Sequence, residues 1–170
     1  MAKKHEFDLV KATKKFKGEV ESLFLDFNSW KTFKTRYSLT WEKVKFEAAN
    51  SAKIPDARGI YIFTLQLDEP KFPIHSYIWY MGIAGHDSGN TLRKRYGNYI
   101  NDQSAANWSR PRVRYMLKKW EGHLYFNFVE LKADVDLRKI ESAFLNAIIP
   151  PANLADIDAT ISLPRKAAFA

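Results

Sequence analysis

The apolar positions of the chain fall into short segments with recognisable periods. Ile60-Tyr-Ile-Phe-Thr-Leu-Gln66 is β-branched and aromatic almost throughout, a strand composition. Ser76-Tyr-Ile-Trp-Tyr-Met81 reads as a second strand ending at Gly82, after a loop, Asp68-Glu-Pro-Lys-Phe-Pro73, that carries two prolines. Folding the pair about residue 71 sets Tyr80 nearly opposite Ile62, although sequence alone does not fix register. Leu124-Tyr-Phe-Asn-Phe-Val-Glu-Leu131 is a third strand. The clearest helix runs over 134–149: acids at its start suit the helix dipole, and Leu137, Ile140, Phe144, Ala147 and Ile148 share one face. Pro150-Pro151 stops it. A helix capped by Asn90 or Thr91 extends to about Asn101, and a basic helix covers 112–119.

The N-terminal part is expected to be helical over 7–25 and again over 41–49, where Thr40 offers a capping hydroxyl. Ser51-Ala-Lys-Ile-Pro-Asp-Ala-Arg-Gly59 breaks the pattern and marks the best boundary. The expected fold class is therefore α+β: a small central three-stranded antiparallel sheet flanked by helices, with a helical N-terminal extension. Residues 1–55 are expected to form a helical extension, residues 56–158 the main domain, and residues 159–170 a loosely held tail.

Composition narrows the class. The 170 residues suffice for one domain with a real core, and 46% hydrophobic with 15% aromatic content suits a packed protein. No run approaches the roughly 18 apolar residues of a membrane span, and the start, Met1-Ala-Lys-Lys-His5, has no apolar signal core. These features predict a soluble, cytoplasmic protein with no membrane partner. The absence of cysteine excludes disulfides, thiol catalysis and cysteine-bound zinc, and His5, His75, His86 and His123 lack ligand spacing.

The net charge of +8 is unevenly spread. Residues 93–119 carry eight Lys or Arg against one acid, Asp102, a net of +7, and the first 45 residues carry a further +5. Cations interleaved with Tyr96, Tyr99, Trp108, Tyr115 and Trp120 suit a polyanionic backbone, because phosphate neutralisation releases counterions. On this basis Lys94, Arg110, Arg112, Arg114, Lys118 and Lys119 are the candidate DNA contacts. A merely solvated basic surface is the competing reading.

Two charges sit where helical periodicity prefers apolar residues. Arg95 shares a face with Leu92, Tyr96 and Tyr99, whereas Arg93 and Lys94 point elsewhere. Glu141 lies four residues from both Leu137 and Leu145, at the edge of the core-facing stripe. A charge brought toward a core is costly unless it is paired or used. Arg95 and Glu141 could simply pair with one another or with nearby charges. Gly59-Ile-Tyr61 opens one strand and Tyr80-Met-Gly82 closes the next. Each tyrosine taken alone is most simply a packing residue with a satisfied hydroxyl.

Taken together, these residues resemble the GIY-YIG nucleases over 59–153, more than half of the chain. The first tripeptide signature is Gly59-Ile60-Tyr61; the second is Tyr80-Met81-Gly82, with methionine in place of isoleucine, a volume-similar exchange. A helix bearing Leu92-Arg-Lys-Arg95 with Tyr99 follows, then Glu141, Pro150 and Asn153 in the family's order. The resemblance implies a metal-dependent DNA endonuclease with catalytic residues Tyr61, Tyr80, Arg95, Tyr99, Glu141 and Asn153. It also implies one Mg²⁺ or Mn²⁺ on Glu141, Arg95 on the scissile phosphate, Tyr61 activating water with Tyr80 beside it, and Asn153 positioning Glu141 or nearby backbone. A GIY-YIG-like nuclease domain over 56–158 with a basic extension over 1–55, expected to contact DNA, fits a type II restriction-like enzyme of prokaryotic or phage origin, acting on DNA as a possible homodimer. The alternatives are a structure- or single-strand-specific nuclease and a non-catalytic nucleic-acid-binding module.

Overall fold

The central run of the chain, Gly59–Leu65, is buried at every position because helices cover both faces of the sheet to which it belongs. The computed structural model describes residues 8–20, 22–23, 25–67, 73–86, 89–104, 110–153 and 162–163. Helices α1 (Leu9–Glu19) and α2 (Phe27–Thr32) precede strand β1 (Glu42–Lys45) and a 3₁₀ turn, Ala48–Lys53. Strands β2 (Gly59–Leu65) and β3 (Tyr77–Ala84) come next, followed by helices α3 (Leu92–Ser104) and α4 (Pro111–Lys119). Strand β4 (Leu124–Glu130), helix α5 (Leu137–Ile148) and a 3₁₀ turn at Pro151–Asn153 complete the order.

The fold is α+β, but its antiparallel sheet has four strands rather than the expected three, in the order β1-β4-β2-β3. The expected helix over 41–49 is instead β1 and the start of the 3₁₀ turn. Glu42 to Lys45 pair with Phe128 to Tyr125 of β4. Phe46 and Ile54 are buried in the same core as β2, so the stretch assigned to the extension is part of the sheet domain. Strand β3 also runs through Gly82 to Ala84 instead of ending there. The expected tail 159–170 and the loop over 68–72 lie outside the described residues, apart from Ser162 and Leu163. No described helix is long and apolar enough to cross a membrane.

Alternation along β2 divides the core in two. Tyr61, Phe63 and Leu65 face a largely aromatic layer closed by Leu92, Tyr96 and Tyr99 of α3 and by Val113, Met116 and Leu117 of α4. Ile60 and Ile62 face an aliphatic layer with Met81, Val129 and, from α5, Leu137, Ile140 and Leu145. Asp136 caps α5 by accepting from Lys139 N–H at 3.1 Å. The helix ends at Ile149, whose φ of 51° is left-handed, and Pro150 follows. Helix α1 buries none of its residues.

Candidate active site

β3 is an edge strand, with α3 on one side of the sheet and α5 on the other. A cavity of about 400 Å³ opens at this edge, lined by Tyr61, Tyr80, Arg95 and Glu141 together with Gly82, Ile83, Arg138, Ser142 and Leu145. Four residues singled out from the sequence, borne on β2, β3, α3 and α5, therefore meet in one place. The glycines explain how. Tyr61 pairs across the sheet with Gly82, and a Cβ on Gly82 would lie 2.4 Å from the Tyr61 hydroxyl. Only a residue without a side chain lets the phenol cross β3 and reach the cavity. Gly59 is equally constrained, since a Cβ there would meet the Val129 carbonyl oxygen at 2.0 Å.

Tyr80 reaches the cavity through an irregularity. Phe63 pairs with Tyr80, but Thr64 pairs with Ile78, leaving Trp79 as the additional residue of a bulge. Trp79 and Tyr80, adjacent in sequence, consequently both pack on the aromatic layer. Tyr80 stands opposite Phe63 rather than Ile62, which puts it on the same face as Tyr61.

Tyr99 links the two phenols. Its hydroxyl is 2.7 Å from that of Tyr61 and donates to that of Tyr80 at 3.4 Å. It accepts from Arg110 at 3.1 Å, and the Arg110 guanidinium lies 4.8 Å from the centre of the Tyr99 ring. Arg110 in turn donates to Asp102 at 2.9 Å. Burial draws the Arg110 pKa down, but Tyr99, Tyr80 and Asp102 together hold it above its ordinary value. Burial also pushes the Tyr61 phenol well above its ordinary range; Tyr99 and Tyr80 push the same way, and Arg95 opposes them. Tyr61 is thus a neutral phenol at neutral pH in the free chain.

Arg95 follows Leu92 by three residues and precedes Tyr99 by four, as its helical face requires. Its Nε is buried without a hydrogen-bond partner, which is costly unless an acceptor enters the cavity. Glu141 supplies the carboxylate of the lining. No group of three or more His, Cys, Asp or Glu forms a metal-type cluster among the described residues. One carboxylate beside hydroxyl oxygens suits a hard divalent cation that keeps most of its waters, and it does not suit a caged zinc.

Asn153 is buried and serves β3. Its side-chain amide donates to the Met81 carbonyl and its side-chain oxygen accepts from the Met81 N–H, each at 2.8 Å. It pins the backbone between Tyr80 and Gly82.

The expected DNA contacts are dispersed. Arg112 and Lys118 are exposed on α4, and Lys94 is exposed on α3 with its ammonium on the Gly89 carbonyl at 3.2 Å. Lys119 bonds the Tyr115 hydroxyl at 2.8 Å and lies over the Trp120 ring, and Arg114 is half-buried. Arg110 belongs to the tyrosine cluster. Sequence reasoning missed Arg138 and Ser142. Arg138 lies three residues before Glu141 on one helix flank, a spacing that could have flagged it.

Comparison with known proteins gives no relative: no family model, no curated protein and no solved structure matches this chain.

Proposed function

We propose that the chain is a metal-dependent DNA endonuclease of the GIY-YIG type. The observation that carries this reading is the meeting of Tyr61, Tyr80, Arg95 and Glu141 in one cavity, with the Arg95 Nε unsatisfied. The Arg95 guanidinium is matched in geometry to two oxygens of a phosphodiester. The Tyr61 and Tyr80 hydroxyls hold the attacking water in line with the phosphorus, with Tyr99 and Arg110 fixing their hydrogen-bond directions. Because Arg110 can only donate, the Tyr99 oxygen accepts from it, and the Tyr99 proton is turned toward a neighbouring phenol. Glu141 would hold Mg²⁺ or Mn²⁺, which when bound neutralises phosphate charge and lowers the pKa of a coordinated water.

Within that reading we take the enzyme to be restriction-like, acting on specific duplex sequences and as a homodimer where both strands are cut. The test is incubation with supercoiled plasmid in Mg²⁺ and in EDTA. Discrete linear fragments that form only with the metal are expected. A smear, or nicking confined to flaps and single strands, would replace the restriction role with structure-specific cleavage. No hydrolysis with Mg²⁺ or Mn²⁺ on any DNA form would remove the nuclease reading.

A further inference from the structure

Helix α5 separates two cavities. Arg138, Glu141, Ser142 and Leu145 line the one described above, and Asp136, Lys139, Ile140 and Ala143 line the other. The second has a volume of about 420 Å³, and its far wall is the segment 33–37, contributing Lys34, Arg36 and Tyr37. That wall is fixed in place. The Phe33 ring packs on Phe144 of α5 at 4.4 Å between centres, and Tyr37 packs against the aliphatic layer. Asp26 N–H also donates to the Ala147 carbonyl at the end of α5, at 3.0 Å.

The cavity is cationic. Lys34, Arg36 and Lys139 share the lining with one acid, Asp136, whose carboxylate already accepts the Lys139 N–H as the helix cap, while the Arg36 guanidinium donates to the Tyr37 hydroxyl at 2.7 Å and lies within the field of Asp134 outside the lining. The exposed crest of α5 between the two cavities carries Arg138, Lys139, Ser142 and Ala143, with no acid and two small side chains. An α-helix with its side chains is about 10–12 Å across, a span that a few nucleotides of one strand cover. A backbone seated on Arg95 can therefore cross the low ridge at Ser142 and Ala143 and meet three more cations.

We infer that the cavity between α5 and residues 33–37 is a second phosphate-binding site, where Lys34, Arg36 and Lys139 hold the DNA backbone a few nucleotides from the strand position in the active-site cavity. The location of that first position rests on the proposed nuclease reading; the phosphate affinity of the second cavity does not. This site adds α5 and the segment before β1 to the DNA track expected on α4, where Arg112 and Lys118 are exposed.

Duplex binding measured by fluorescence anisotropy in EDTA, across a salt series, tests it without any cleavage. Each lost phosphate contact lowers the slope of log K against log salt by about 0.9. The variant K34Q/R36Q/K139Q is expected to lower the slope by about 2–3 and weaken binding by about two orders of magnitude at 0.1 M salt. All three side chains are exposed, and circular dichroism checks the fold. The single variant K34Q, expected to lower the slope by about 0.9, repeats the test with minimal perturbation. A control, K14Q/K15Q/K17Q on α1, is expected to change the slope by less than half as much as the triple variant. An unchanged slope in the triple variant, or an equal change in the control, would overturn the inference. Weakened binding in the triple variant, alongside a wild type that hydrolyses nothing, would uphold this site while removing the nuclease reading.

Discussion

Tyr61 illustrates how much one side chain depends on its neighbours. Its phenol lies over β3 only because position 82 is glycine, and its hydroxyl sits 2.7 Å from that of Tyr99 in a buried layer. Burial, with Tyr99 and Tyr80 beside it, raises its pKa well above 10, and Arg95 only partly offsets this. A raised folded-state pKa contributes stability that is fully present below the unfolded value of about 10 and is lost as pH climbs toward the folded value. The metal-free protein is therefore expected to lose stability as pH rises past about 10, and Tyr61→Phe should flatten that part of the curve. Chemical denaturation at pH 8 to 11 checks this, and an identical pH slope in the two proteins would contradict it. In the proposed reaction Tyr61 would order a water as a neutral hydroxyl, and its deprotonation would require positive charge brought in with the substrate.

At the scale of elements, the site depends on how β3 is held. An edge strand with a bulge between two tyrosine-bearing positions is liable to shift, and Asn153 clamps it through both backbone groups of Met81. Asn153→Ala would leave a buried N–H and a buried C=O unpaired, at a cost of about 2–4 kcal/mol. Urea unfolding should show a loss of that size; a change below about 0.5 kcal/mol, the size of an ordinary surface substitution, would mean the clamp is not needed. The sequence made some of these elements legible and hid others. Strands β2 and β4 and helix α5 were readable because their apolar runs are long and their faces unambiguous. Strand β1 was not, since Glu42-Lys-Val-Lys45 is four residues with charged positions and pairs with residues 80 or more positions away. The bulge at Trp79 was hidden for a similar reason, since it is a property of pairing and not of the strand's own residues. Arg95 and Glu141 were marked by charge on an apolar helix face. Asn153 stood out only through motif order, and its contact with Met81 follows from the end of α5 returning to β3.

For the whole molecule, the sheet acts as a partition whose open edge is the site. The aromatic layer delivers the tyrosines and Arg95 from one face, α5 delivers Glu141 from the other, and β3 is thin enough at Gly82 for the two sets to meet. The basic surface is not confined to the stretch that the linear charge density marked, where Lys94, Arg112 and Lys118 are exposed. Residues 93–119 hold the densest cations, yet Arg110 is half-buried against Tyr99 and Asp102. The cations of residues 34, 36, 138 and 139, spread thinly in sequence, are gathered on either side of α5. On the proposed reading, two cavities on one helix would give a DNA strand two points of attachment, which would orient it more firmly than either cavity alone.

The central claim is that the cavity at the edge of β3 is a hydrolytic site in which Glu141 serves the cation and Arg95 the phosphate. Its most direct test is Glu141→Gln, assayed in parallel for plasmid cleavage in Mg²⁺ and for duplex binding in EDTA. Cleavage is expected to fall by at least about a thousandfold, on the scale of losing a principal electrostatic group, with DNA affinity unchanged or slightly higher because one negative charge has been removed. Cleavage at the wild-type rate by Glu141→Gln would contradict the account.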